Sequence, residues 1–146
     1  MLEFAHQEHI KSYYFDSRNQ TFELPPITQQ EEADVCVIGA GFFGLSAALE
    51  LAEKGKKVIV LEGARVGFGA SGRSGGQAIN GFEEGIDEYI AQVGFDKAKK
   101  LWDMSLEAID IIDERIAKYG IQCDWKKGYA TLALNERRMD DLIEME

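Results

Sequence analysis

Three glycines and one glutamate are the residues whose types and spacing indicate chemistry in this chain. Gly39, Gly41 and Gly44 form the pattern GxGxxG, and Glu62 closes a later apolar run. In a dinucleotide-binding turn, the first glycine lets the chain leave a strand sharply and the second lets a pyrophosphate approach. The third lets a helix pack close to the sheet. A carboxylate at the end of the next strand accepts hydrogen bonds from ribose hydroxyls, whereas an arginine there would indicate a 2′-phosphate.

The surrounding segments predict the elements that position these residues. Residues 33–38 are apolar and β-branched, which is typical of a buried parallel strand. Apolar residues over 45–52 recur at helical spacing before Gly55, and residues 57–61 predict a second strand. The free amides at the helix start would face an anion, helped by the helix dipole. GxGxxG alone is a weak signal, and this strand–helix–strand context makes the prediction of a dinucleotide site specific.

The stretch 63–77 follows Glu62 and is too rich in glycine for a stable helix, since each interior glycine costs about 1 kcal/mol relative to alanine. One interpretation is a backbone that lies closely against something flat or anionic, with Ser71, Arg73 and Ser74 as polar anchors. The other is a flexible surface loop. Composition alone leaves both open.

Residues 34–62 together with 67–77 resemble the N-terminal part of the D-amino-acid-oxidase-like flavoproteins, the FAD-dependent oxidases of glycine, sarcosine, D-amino acids and polyamine derivatives. The resemblance implies an α/β fold with a Rossmann-like FAD-binding βαβ unit and the start of an antiparallel substrate domain. It also implies that the chain is part of a longer two-domain protein. Three further segments are most similar to the γ-glutamylputrescine oxidase branch: Ser12-Tyr13-Tyr14, Pro25-Pro26 and Cys123-Asp124-Trp125.

The resemblance also implies how FAD would be held. The GxGxxG glycines would turn over the pyrophosphate, with backbone amides from Phe42 and Phe43, and Glu62 would bind the adenosine ribose. Residues 70–76 would run beside the ribityl chain and the isoalloxazine ring. The candidate cofactor-binding residues are Gly39, Gly41, Phe42, Phe43, Gly44, Glu62, Gly63, Arg65, Ala70, Ser71, Gly72, Arg73, Ser74, Gly75 and Gly76.

The implied activity is oxidation of the C–N bond of an amine or amino acid, by hydride transfer to flavin N5 with dioxygen as the expected acceptor. Its substrate would be of the γ-glutamylputrescine, glycine or D-amino acid class. Because the flavin carries the redox chemistry, we assign no catalytic residue, and we expect this stretch alone to be inactive. Two alternatives remain at this point: a non-catalytic module that keeps the FAD fold, and an NAD-dependent dehydrogenase.

Composition limits the partners and the location. A formal charge of −10 argues against nucleic acid or an anionic membrane as partner. No apolar run reaches the roughly eighteen residues of a membrane helix, and the N-terminus lacks a signal-peptide pattern, so we expect a cytoplasmic protein. Two cysteines do not make a disulfide framework, and Cys36 is expected in the core. His6 and His9 are expected to face solvent, since no neighbouring ligand pattern indicates a metal site.

We divide the chain into three parts. Residues 1–32 form an N-terminal arm, residues 33–120 the N-terminal part of the FAD-binding domain, and residues 121–146 the beginning of a substrate-domain hairpin. This division follows the polar, irregular start of the chain and the change from helical spacing to alternation after Gly120.

Periodicity predicts the later elements. Residues 86–93 have helical spacing, and a longer helix capped by Asp96 reaches Tyr119, with Trp102 on its buried stripe. Alternation predicts two antiparallel strands over 121–125 and 129–134. A last helix follows, for which Asn135 is the expected cap.

Overall fold

A computed structural model of the 146-residue chain describes residues 9–21 and 24–144. His6 therefore lies outside the described residues. The elements are α1 (Tyr13–Asp16), β1 (Val35–Ile38), α2 (Phe42–Glu53), β2 (Val58–Leu61), a 3₁₀ turn (Ala70–Arg73), α3 (Ile86–Val93), α4 (Phe95–Tyr119), a second 3₁₀ turn (Glu136–Arg138) and α5 (Met139–Glu144).

Residues 35–61 form a βαβ unit, as the sequence predicts. Strands β1 and β2 pair in parallel, with Val35 opposite Val58 and Ile38 opposite Leu61. Helix α2 connects the two strands and contacts both of them. Beyond its end at Glu53, Gly55 has a φ of +79°, a conformation that favours glycine after a helix.

Helices α3 and α4 form a second unit in which glycines set the boundaries. Gly94, with a φ of +82°, ends α3 and stands at the N-cap position of α4, and Gly120 ends α4 in the left-handed conformation. The prediction that Asp96 caps α4 is wrong, because the helix starts at Phe95. Asp96 lies in the first turn instead, where its carboxylate interacts favourably with the helix dipole.

The core of the described residues is small. Its buried apolar side chains are three alanines, Ala40, Ala48 and Ala98. The expectation that Cys36 is buried is wrong: Cys36 and Ile38 point to the same face of the sheet, and both are exposed. In the part of the chain described, no second layer covers that face, whereas α2 covers the other.

Trp102 is less buried than its helical stripe predicts. Its side chain remains 36% exposed, although its ring approaches Gly81 and lines a small apolar cleft with Ile86, Ile90 and Phe95. Ser105 is the buried polar member of the same stripe, and its Oγ accepts a hydrogen bond from the Gly81 amide at 3.0 Å. The connector between the stretch 63–77 and α3 is thereby fixed to α4.

The strands predicted over 121–125 and 129–134 are not confirmed, since described residues 121–134 contain no strand. Trp125 is held against α4 instead, where its Nε1 donates to Asp113 Oδ1 at 2.8 Å. A β-ladder needs neighbouring strands to satisfy its backbone, and α4 offers none. The apolar side chains of Leu132 and Leu134 consequently remain 78% and 90% exposed.

The predicted cap near the end of the described chain is confirmed. The Asn135 side chain accepts a hydrogen bond from the Arg138 amide at 3.2 Å and starts the second 3₁₀ turn, which leads into α5. None of the helices within the described ranges combines the length and the apolar character required to cross a membrane.

Candidate cofactor site

The glycine turn between β1 and α2 has the backbone geometry that the sequence predicts. Gly39 has a φ of +100°, and its amide donates to the carbonyl oxygen of Leu61 at 2.7 Å, which joins the turn to the end of β2. A Cβ on Gly44 would overlap the carbonyl oxygen of Gly39 and lie 3.3 Å from Cγ1 of Val37. The predicted steric roles of Gly39 and Gly44 are therefore confirmed.

The start of α2 receives its cap from a distant part of the chain. The N-cap residue, Gly41, has no side chain, and the amide of Phe42 donates to Oγ of Ser71 at 2.9 Å. A Cβ on Gly41 would lie 2.9 Å from the same oxygen. The bare α-carbon of Gly41 thus makes room for the Ser71 hydroxyl, a contact that sequence reasoning did not predict.

Glu62 lies directly after β2, as predicted, and its carboxylate holds the surrounding backbone. Oε2 accepts from the Ala40 amide at 2.8 Å, and Oε1 accepts from the Ala64 amide at 3.0 Å. Glu62, at the end of β2, therefore holds the glycine turn in place through the Ala40 amide. Each carboxylate oxygen has further acceptor capacity, which leaves Glu62 able to receive ribose hydroxyls as well.

The stretch 63–77 is folded onto the glycine turn. The amide of Gly67 donates to the carbonyl oxygen of Ala40 at 3.0 Å, and a Cβ on Gly72 would overlap the carbonyl oxygen of Gly67. The 3₁₀ turn that follows brings Ser71 to the start of α2. These contacts favour the interpretation of 63–77 as part of a binding surface over that of a flexible loop.

The remaining candidates on this stretch lie around its edge. Arg73 Nη2 donates to the Phe68 carbonyl oxygen at 3.4 Å, and Ser74 Oγ accepts from the Gly76 amide at 3.3 Å. The side chain of Arg65 is exposed, and a Cβ on Gly63 would meet open space. The local bonds give the stretch its shape, and the exposed side chains leave its backbone accessible.

Two elements around the site extend its aromatic surface. The rings of Phe42 and Phe43 at the start of α2 are 65% and 90% exposed, and the Phe42 amide is bonded to Ser71. His9 of the N-terminal arm is half-buried against Phe15 and Phe68, which corrects the expectation that it faces solvent. The aromatic run around Tyr13 and Tyr14 was the sequence signal for this contact.

The far end of α2 is anchored to α4 by ion pairs. Glu50 Oε2 lies 3.2 Å from Arg115 Nη2, and Glu53 Oε1 lies 2.6 Å from Lys118 Nζ. Hydrogen bonds from Lys118 and then from Tyr119 lower the pKa of Glu53 below its usual value. These pairs are partly exposed, so they fix the direction of α2 more than they stabilise the fold.

The donor set at this site fits an anionic dinucleotide. The helix N-terminus, the glycine turn and the Ser71 hydroxyl have the chemistry that a pyrophosphate requires, and the Glu62 carboxylate has the chemistry that a ribose requires.

Comparison with known proteins decides which dinucleotide this is. The model of a family described as FAD dependent oxidoreductase matches residues 34–146. The chain belongs to the family of FAD-dependent oxidoreductases. Its cofactor is therefore FAD, as the resemblance implies, and the family match does not support the alternative of an NAD-dependent dehydrogenase. The resemblance stated from the sequence is confirmed.

Two relatives from this family match nearly the whole chain. It is 88% identical to a probable oxidoreductase OrdL of Haemophilus influenzae over all 146 residues, which cover 34% of that protein. It is 43% identical to the gamma-glutamylputrescine oxidoreductase of Escherichia coli over 139 residues, 95% of this chain and 33% of that protein. The chain thus spans about a third of the length of these relatives. No solved structure gave a significant match.

Proposed function

We propose that this FAD-dependent oxidoreductase oxidises the C–N bond of an amine or amino acid, with dioxygen as the electron acceptor. The observation that carries the proposal is that the glycine turn and the stretch 63–77 form one continuous surface through the Ser71–Phe42 and Gly67–Ala40 bonds. The name of the Escherichia coli relative supports a substrate of the γ-glutamylputrescine class, with glycine and D-amino acids as the other members of the proposed range.

The residues of the site divide the work of holding FAD. Because the Phe42 amide already donates to Ser71 Oγ, the pyrophosphate would be bound by the amides that follow it in the first turn of α2 and by the hydrogen of the Ser71 hydroxyl. Glu62 would receive the adenosine ribose while it holds the Ala40 amide. The backbone over 70–76 runs beside the ribityl chain and the ring. When bound, FAD supplies the acceptor for a hydride from the carbon that carries the amine.

The domain division remains part of this proposal. We assign residues 33–120 to the N-terminal part of the FAD-binding domain and residues 121–146 to the beginning of the substrate domain. The exposed apolar side chains of Tyr129, Leu132 and Leu134 support this assignment, because an added antiparallel sheet would cover them. We place the enzyme in the cytoplasm and assign it no catalytic side chain.

An amine panel tests the reaction. The protein, in the longest form that its gene encodes, is loaded with FAD and mixed with γ-glutamylputrescine, putrescine, glycine, sarcosine and D-alanine. We expect at least one of them to bleach the flavin absorption without oxygen and to give hydrogen peroxide in air. Bleaching without peroxide would contradict dioxygen as the acceptor. No bleaching by any compound would contradict amine oxidation and favour a non-catalytic module.

A further inference from the structure

We propose that residues 9–16, here called the inner arm, complete the FAD site, with His9 as a positioning residue and Tyr14 as a residue that contacts the cofactor. The inference rests on the proposed binding of FAD by the glycine turn and the stretch 63–77. The family match begins at residue 34, so nothing in it assigns a role to this segment. The inner arm contains α1 and contacts the 3₁₀ turn at 70–73.

The first contact between the inner arm and the stretch 63–77 is made by three aromatic rings. The His9 ring stacks on Phe15 with ring centres 4.3 Å apart and planes 14° apart, and it meets the edge of Phe68 at 5.6 Å. All three side chains are half-buried in a chain where many large apolar groups are exposed. His9 therefore joins the inner arm to the stretch 63–77 in the packing geometry that aromatic pairs prefer.

The second contact places His9 against the backbone of the same stretch. A Cβ on Gly72 would lie 3.6 Å from His9 Nε2 on one side and would overlap the carbonyl oxygen of Gly67 on the other. The turn between Gly67 and Gly72 is thus enclosed by its own backbone and by the imidazole. The Gly67 carbonyl oxygen is what requires glycine at position 72, whereas His9 would be in ordinary van der Waals contact with a side chain there.

The enclosed turn carries the hydroxyl that caps α2. Ser71 adjoins Gly72, and its Oγ accepts from the Phe42 amide at 2.9 Å. A serine hydroxyl that accepts one hydrogen bond still has its own hydrogen to donate, so Ser71 can also bind a phosphate oxygen. The contacts run from His9 through Phe68 and Gly72 to Ser71, and from there to the first amide of α2.

Tyr14 reaches the far end of the same stretch. Its hydroxyl lies 3.9 Å from the position of a Cβ on Gly75, within the segment proposed to run beside the flavin. Among the described residues, this hydroxyl has no hydrogen-bond partner, which leaves it available to the cofactor. The adjacent Tyr13 is 78% exposed against 45% for Tyr14, so the two tyrosines provide a matched pair for comparison.

The inner arm has local bonds that hold its shape. Ser12 caps α1 by accepting from the Phe15 amide at 3.3 Å. The Arg18 guanidinium lies over the Phe15 ring, 3.5 Å from its centre, and donates to the Phe15 carbonyl oxygen. Arg18 and the helix cap therefore hold Phe15 in the position in which its ring stacks on His9.

The test measures FAD binding by four variants of the longest form that the gene encodes: His9→Ala, His9→Phe, Tyr14→Phe and Tyr13→Phe. We expect His9→Ala to raise the Kd for FAD by about three- to tenfold, the scale of a lost aromatic pair, and His9→Phe to restore it to within about twofold. Tyr14→Phe should raise the Kd by about threefold and shift the flavin absorption maxima, as loss of one hydrogen bond to the cofactor would. Tyr13→Phe should bind like the unsubstituted protein.

The readouts separate positioning from general stability. A merely structural arm would lower the melting temperature of the FAD-free His9→Ala protein and leave both the Kd and the flavin spectrum unchanged, which would overturn the inference. If His9→Ala does not fold, Tyr14→Phe decides, because it removes a single oxygen atom. Unsubstituted protein that binds no FAD would contradict the proposed function itself. Protein that binds FAD with equal affinity in all variants would contradict only the role of the inner arm.

Discussion

The glycine turn together with the stretch 63–77, here called the cofactor surface, differs from the segment 121–134 in where its hydrogen-bond partners lie. In the cofactor surface, the amides of Gly39, Ala40 and Gly67 all donate to partners that lie within residues 39–62. In 121–134, no strand forms, the side chains of Trp125 and Lys127 donate to Asp113 of α4, and Leu132 and Leu134 remain exposed. The glycine turn finds its partners in β2, Glu62 and the stretch 63–77, whereas a strand over 121–134 requires a neighbouring strand that the described residues do not supply.

The largest effect is expected for Gly44→Ala, which tests the close contact between α2 and the glycine turn. The added methyl group would overlap the Gly39 carbonyl oxygen, so the turn or the helix must move. We expect a loss of about 3 kcal/mol or more in the free energy of unfolding, together with loss of FAD binding. Chemical denaturation measures the first and flavin absorption the second.

Gly85→Ala is the matched control for this substitution, because its methyl group would meet open space and Gly85 lies outside the candidate cofactor site. It should leave the free energy of unfolding within about 1 kcal/mol of the original value, the scale of a changed helix N-cap. Equal losses from both substitutions would show that the close approach of α2 to the glycine turn is not what the fold depends on.

A smaller effect is expected for Glu62→Gln. The amide group keeps one acceptor oxygen and cannot receive both the Ala40 and the Ala64 amides, so one of these charge-assisted bonds is lost. We expect a loss of about 1.5 to 3 kcal/mol of stability and weaker FAD binding, measured by denaturation and titration. Glu83→Gln, on an exposed connector, is the control and should change neither quantity.

The ion pairs between α2 and α4 should make stability depend on pH. Hydrogen bonds from Lys118 and Tyr119 lower the pKa of Glu53, so the folded state binds this proton less readily than the unfolded state. The contribution is present above the unfolded pKa, about 4.5, and is lost as pH falls through the lower folded value.

Unfolding measured between about pH 3 and 7 checks this dependence. Glu53→Gln should remove part of the acid destabilisation, whereas Asp103→Asn, which breaks the exposed Lys99–Asp103 pair within α4, should leave the profile almost unchanged. If Glu53→Gln has the same acid profile as the unsubstituted protein, the α2–α4 pairs do not couple to folding.

The smallest effect tests the other side of the comparison. In the 146-residue chain, Leu134→Ser should change the free energy of unfolding by less than about 0.5 kcal/mol, because the side chain is 90% exposed. Val37→Ser should lower the free energy of unfolding by more than about 1 kcal/mol, since the Val37 side chain packs from β1 against Gly44 of α2. A large loss from Leu134→Ser would show that the segment 121–134 is packed in solution.

The sequence predicts most of what is local in this protein. The strand–helix–strand order, the end of α3 at Gly94 and the end of α4 at Gly120 all follow from periodicity and glycine punctuation. Asp96 was assigned as a cap because its residue type is favoured there, and the neighbouring Gly94 took the position instead. Residue preference therefore locates the start of a helix to within a few residues and does not identify the capping residue.

Contacts between distant residues could not be predicted in the same way. The Ser71 hydroxyl caps a helix that begins 29 residues earlier, and no spacing rule connects the two. The position of His9 between Phe15 and Phe68 likewise depends on how the inner arm lies on the stretch 63–77. Cys36 was expected in a core because a strand of this type is usually covered on both faces, and the described residues cover only one.

The most direct test of the account is the visible spectrum of the protein after incubation with excess FAD and gel filtration. We predict flavin bands near about 370 and 450 nm that elute with the protein, and their loss in Gly44→Ala but not in Gly85→Ala. Protein that unfolds cooperatively, and therefore is folded, yet elutes without colour would contradict the assignment of the glycine turn and the stretch 63–77 as the FAD site.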